Sequence, residues 1–195
     1  MTITIASTWL TSHHDFLSKL LPAGEDFPLL FVPTFSSDLN EDEINAVRRS
    51  FSVHLQLRNL KRLSAYTDPY SITVVEVIKG VIAWHEEGED EATAKQTSSN
   101  CWLASKSAVK PEASSASRSA AWSAAWSVAK FSAESSYWAA ESAYWAAHQE
   151  AKATRTGSEI SLNSDPSIED LAKLDNYRWE AEMLVGLVTK AARPK

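Results

Sequence analysis

The side chains that could do chemistry are few and scattered. The five histidines stand at 13, 14, 54, 85 and 148 and form no HExxH pair, and Cys101 is the single cysteine. A lone cysteine cannot build a Cys-rich zinc site, so no metal is expected. His13-His14 could touch a cation, but adjacent helical residues point about 100° apart. A surface or half-buried pair is the expectation. His85-Glu86-Glu87, with Glu89, Asp90 and Glu91 beyond, gathers carboxylates that could hold a cation or do acid–base work. A solvated acidic loop is the simpler reading. Cys101 could be a nucleophile only with a positioned base; a buried structural thiol is expected. Five glycines leave little material for a phosphate cradle, and neither GxGxxG nor a P-loop is present. No catalytic residue and no cofactor is assigned.

A basic cluster, Arg48, Arg49, Arg58, Lys61 and Arg62, contains no acidic residue between its ends. Such a cluster could meet phosphates. The net charge of −6 and the lack of an aromatic stacking motif disfavour nucleic acid. Pairing with acidic helix surfaces, or with an acidic protein, is simpler.

The elements that must carry these residues read as helices. Few glycines beside abundant alanine favour helix over strand. An all-α multi-helix bundle follows, as one domain over 1–195. Residues 1–35 hold an N-terminal helix (about 8–21) and an extended, packed segment around FPLLFVPTF. The first helix aligns Trp9, Leu10, His13, Phe16, Leu17, Leu20 and Leu21 in one stripe. Residues 40–110 form a helical core. Asn40 before Glu41, Asp42 and Glu43 marks a helix start. Residues 50–58 fit strand alternation or helical spacing, and helix is chosen because 34–68 has neither glycine nor proline. Asp68-Pro69 is a cap followed by a first-turn proline, opening a buried central helix that Gly88 stops. Asp90 caps a further helix. Asp165-Pro166 repeats the device for a last helix over 165–192, striped by Leu171, Leu174, Ala181, Leu184, Val185 and Val188.

Between 113 and 154 the chain reads as one long Ala/Ser/aromatic-rich helix or a helical hairpin, containing YWAAESAYWAA. About 40 helical residues would extend roughly 60 Å, so a bend near Lys130–Ser136 is favoured. Wrapped as a helix, one side collects alanines, with Trp122 and Trp126 at its start, and lets a neighbour approach closely. The other carries Phe131, Trp138 and Trp145, flanked by Tyr137 and Tyr144. Either other helices of the chain cover this ridge, or part of it stays open to another protein, since Trp and Tyr are enriched among binding hot spots.

The segment YTDPYSITVVEVIKGVIAWHEEGEDEATAKQTSSNCWLAS (66–105) has Asp-Pro, a helix ending Ala-Trp-X-X-X-Gly, an acidic stretch and then an Ala-rich helix studded with aromatics. That order, over about Arg48 to Lys152, resembles an alanine-rich helical family of bacteria and phages labelled immunity proteins. The resemblance implies a non-enzymatic, all-α protein that binds and neutralises a protein partner such as a toxin or host factor. Serine stands here at many of the family's alanine positions, among them Ser117, Ser123 and Ser127. Two other readings stay open: a homo-oligomeric scaffold pairing through its alanine seam, and a small-molecule or pigment pocket between helices. The N-terminus lacks a basic region before a long apolar run, and 71–84 is too short and too charged to span a bilayer, so a cytoplasmic protein without membrane contact is expected.

Overall fold

Helices form at the caps and stripes that fall among the residues described; the expected start at Asp165-Pro166 lies outside them. The computed structural model describes residues 5–22, 32, 38–106, 112–128 and 168–193. Their helices are α1 (Ile5–Leu20), α2 (Glu41–Leu63), α3 (Pro69–Glu86), α4 (Glu91–Lys106), α5 (Glu112–Val128) and α6 (Ile168–Ala191), and no strand occurs among the described residues.

The helix starts are chemically specified. Asn40 closes a capping box: its side chain accepts from the Glu43 amide at 3.0 Å while the Glu43 carboxylate accepts from the Asn40 amide at 3.0 Å. Asp68 accepts from the Ser71 amide at 2.9 Å, and Pro69 occupies the first turn, where no amide donor is needed. The side chain of Asp90 accepts from the Ala92 and Thr93 amides at 3.3 and 3.2 Å. The ambiguous stretch 50–58 lies within α2, because Ile44, Val47, Phe51 and Leu55 bury one helical stripe.

Two hydrophobic clusters organise the fold. The first joins α1 (Trp9, Leu10, Leu17), the first half of α2 (Ile44, Val47, Phe51, Leu55) and α6 (Tyr177, Ala181, Leu184, Val188), with Val32 buried against them. The second joins Leu63 at the end of α2 to α3 (Val74, Ile78, Val81, Ile82, Trp84), α4 (Ala94, Cys101, Ala104) and α5 (Ala120, Ala121, Ala124, Ala125, Val128). Helix α2 packs against α1, α3, α5 and α6 and therefore borders both.

Some expectations need correction. Val32, the one described residue between 23 and 37, is helical rather than extended. Helix α3 is central, packing against α2, α4 and α5, yet not buried all round: Ile72, Thr73, Glu76, Lys79, Gly80 and Ala83 are exposed. In the expected stripes, Leu20 and Leu171 are exposed as well. Of the span 113–154, α5 covers the part to Val128; the bend near 130–136 lies outside the described residues.

Candidate functional site

Helix α5 shows why small residues were placed where they are. Ser117, Ala120, Ala121, Ser123, Ala124, Ala125, Ser127 and Val128 are all buried, facing α2, α3 and α4. Two of the serines spend their hydroxyls on neighbouring helices. Ser117 bonds Ser71 at 2.7 Å, and Ser123 accepts from Gln56 and Asn59 at 3.4 and 3.2 Å. Serine in place of alanine therefore gives the seam polar stitches without adding bulk.

The other flank of α5 carries Arg118, Ser119, Trp122 and Trp126, none of them buried. Trp102 of α4 stands edge-on to both indoles, with ring centroids 4.1 Å from Trp122 and 5.3 Å from Trp126. Edge-to-face contact sets the positive rim of one ring on the negative face of the next. All three tryptophans are half-buried, and Leu103, next to Trp102, is 64% exposed. In the described part of the helix the small residues are buried and the two tryptophans half-buried; the expected ridge of Phe131, Trp138 and Trp145 lies outside the described residues. Trp122 and Trp126 stand at the edge of the small side, where both meet Trp102 of α4 and Trp126 also packs against the first cluster.

A second constellation sits where α3 ends. Gly88 (φ 102) and Glu89 (φ 64) both take left-handed backbone, which glycine adopts freely and glutamate rarely. The Glu89 amide donates to the Trp84 carbonyl at 2.9 Å, and the Trp84 indole donates to the Asp90 carbonyl at 2.8 Å, fixing the turn. The turn drives the Glu89 carboxylate inward. There His85 Nδ1 donates to it at 2.8 Å, and Arg48 of α2 bonds its other oxygen. Burial alone would raise the Glu89 carboxyl, but the His85 hydrogen bond and the Arg48 charge together hold it down at about 2. Burial lowers His85 against the opposing pull of Glu89, so the imidazole is neutral. The expected solvated loop is therefore half right: Glu86, Glu87 and Asp90 are exposed, whereas His85 and Glu89 are buried. The residues are far apart in sequence from Arg48, so only folding reveals the pair.

This cluster also places Ser127 Oγ 3.4 Å from His85 Nε2, the order of nucleophile, base and orienting acid. The hydroxyl is committed elsewhere, donating to the Ala124 carbonyl at 2.8 Å, and all three side chains are buried. The arrangement ties α2, α3 and α5 together; it does not present a nucleophile.

A third polar group lies inside the first cluster. His13 of α1 and Glu180 of α6 are wholly buried, with Nε2 and Oε2 3.9 Å apart. His13 is therefore not a surface or half-buried residue as its neighbour His14 is; it sits on the apolar stripe of α1. Glu180 likewise falls at stripe spacing with Tyr177, Ala181 and Leu184, a signal the sequence contained.

The basic cluster does not form one patch. Arg48 pairs with Glu89, the Arg58 guanidinium lies 4.4 Å over the Trp179 ring, and Arg62 donates to Asn176 at 2.7 Å. Arg49 is half-buried and Lys61 exposed. Cys101 is buried, and burial pushes its thiol up to about 12. Phe131, Tyr137, Trp138, Tyr144 and Trp145 lie outside the described residues. Among the described residues no group of three His, Cys, Asp or Glu side chains could hold a metal ion, and no helix is long and apolar enough to cross a membrane. Comparisons with protein-family models, with curated proteins and with solved structures find no match to this chain.

Proposed function

We propose that the protein is a non-enzymatic binding protein that acts by protein–protein contact, as an immunity or inhibitor protein does when it neutralises a partner. One observation carries the reading: three tryptophans, Trp102, Trp122 and Trp126, cluster at the α4–α5 surface, all half-buried, beside exposed Leu103. Indoles held rigid by mutual contact, with apolar area still open to water, are what a binding hot spot needs. The resemblance of residues 48–152 to alanine-rich immunity proteins points the same way. On this reading the aromatic ridge at Phe131, Tyr137, Trp138, Tyr144 and Trp145 extends the contact surface along the chain.

The test is calorimetric titration of the purified protein with the product of the neighbouring gene, together with co-expression to score rescue of any toxicity. Binding is expected, weakened tenfold or more by Trp122→Ala with the melting temperature held. Trp138→Ala plus Trp145→Ala should stay folded and lose the partner if the ridge is part of the interface. No binding and no rescue would remove the proposal.

A further inference from the structure

His13 and Glu180 form the one described group whose buried polar atoms face each other without a hydrogen bond. His13 is boxed by rings: stacked on Trp9 at 5.7 Å, edge-on to Phe51 at 4.6 Å and tilted against Phe16 at 6.2 Å. Neither of its nitrogens has a hydrogen-bond partner, nor has Glu180 Oε2. The other carboxyl oxygen, Oε1, accepts from Asn176 at 2.6 Å, and Asn176 in turn accepts from Arg62 at 2.7 Å. Helix α1 is held to the other described helices through α2 and α6. From α2 the charges acting on Glu180 are Arg62 and Arg58; α6 contributes Glu180 itself and the Tyr177 phenol, which lies in this core edge-on to Phe16. His14 and Asp15 of α1 pair with each other, away from the wholly buried site.

Counting protons over this pair gives three states. With one proton, the pair is a neutral imidazole facing a carboxylic acid, and no net charge is buried. A second proton makes an imidazolium enclosed by three aromatic rings. Removing the proton makes a carboxylate whose Oε2 has no donor. Burying either ion without a partner is unfavourable. Opening α1 relieves the problem in both cases, because water then reaches both groups.

We propose that α1 is a proton-gated latch, docked on α2 and α6 while His13 and Glu180 hold a single proton between them and released when the pair gains or loses one. Among the described helices α1 packs on α2 and α6, and it can open while α2 keeps its packing on α3, α5 and α6. Release uncovers the ring and aliphatic surface of Phe51, Leu55 and Leu184. The idea stands apart from the binding role proposed above and does not depend on it.

The electrostatics set the window. Burial raises the Glu180 carboxyl from 4.5 to about 8, and burial lowers the His13 imidazole from 6.5 to about 3. Above 6.5 only the Glu180 contribution changes, so the opening constant of α1 should rise about tenfold per pH unit until about 8. Below 4.5 the His13 contribution takes over in the opposite sense.

The experiment is amide hydrogen exchange on the full chain from pH 4 to 9, expressed as protection factors corrected for intrinsic rates. In the wild type, protection of α1 should fall about tenfold per unit between pH 6.5 and 8 and lie below that of α3 throughout, since α1 opens without the rest. Glu180→Gln, which keeps the acceptor for Asn176, should abolish the fall. Protection of α1 equal in size to that of α3 at every pH, or a Glu180→Gln profile matching the wild type, would overturn the proposal. Should that variant not fold, carbon-labelled glutamate in the wild type decides. A Glu180 carboxyl titrating at its ordinary 4.5 with α1 still protected would overturn it equally.

Discussion

Arg48 and Glu89, separated by 41 residues, form an ion pair at the junction of α2 with the end of α3, and the Glu89 backbone occupies a left-handed conformation (φ 64) to make it. Glu89 is buried and also accepts from His85, so losing the guanidinium strands a carboxylate away from water. Arg48→Met should lower the unfolding free energy by about 3–5 kcal/mol. Arg48→Met combined with Glu89→Leu should recover much of that, because neither charge then remains. Urea denaturation of the wild type, the single and the double variant at pH 7 checks both. A single-variant loss below about 1 kcal/mol would show that the pair does not hold α2 to α3.

The same carboxyl predicts an acid limb. Its folded value is depressed to about 2 from an ordinary 4.5, so the stability it contributes is fully present above 4.5 and is lost as pH falls towards 2. The stability gap between wild type and Glu89→Gln should therefore narrow by about 1.4 kcal/mol per pH unit below 4.5. Denaturant titrations at pH 3, 4, 5 and 7 measure the gap. A gap independent of pH would contradict the ionised pair.

The small-residue seam of α5 leaves no room for growth. Ala121, Ala124 and Ala125 are fully buried against neighbouring helices. Ala124→Leu should destabilise the protein by about 1–3 kcal/mol through overpacking. Ser119→Ala, on the half-buried flank, should stay within about 0.5 kcal/mol of the wild type. Thermal melts of the two variants make the comparison, and equal melting temperatures would refute the close-packed seam.

Cys101 offers a probe of global opening. Its thiol is buried in the second cluster and raised to about 12, so the thiolate that reacts is scarce in the folded state. A disulfide reagent at pH 8 should label it only at the rate at which the protein unfolds, and at once in denaturant. Rapid labelling of the folded protein would place the thiol at the surface instead.

What the sequence disclosed and what it concealed follow a physical line. Caps are local, so Asn40 and Asp68 could be read directly, and so could the helical choice for 50–58 once no turn residue interrupted it. Stripes are local too, and Trp9, Leu17, Ala181 and Leu184 fall where spacing put them. Buried polar pairs are not local. Nothing beside Glu89 announces that Arg48 neutralises it, and nothing beside Glu180 announces His13. The tryptophan cluster is intermediate: Trp122 and Trp126 share a helix face by spacing, but Trp102, the ring between them, comes from the preceding helix.

Helix α2 borders both clusters, and the first of them joins α1 and α2 to α6, the last of the described helices. Synthesis from the N-terminus therefore leaves Trp9, Leu17 and Phe51 without Leu184 and Val188 while more than a hundred further residues are made. Helices α3 to α5 can gather around the second cluster in the meantime, since every described residue of that cluster is already made. Emergence of α6 from the ribosome is then the event that completes the first cluster, and a ribosome stalled before residue 168 should carry a chain whose α1 and α2 still attract chaperones.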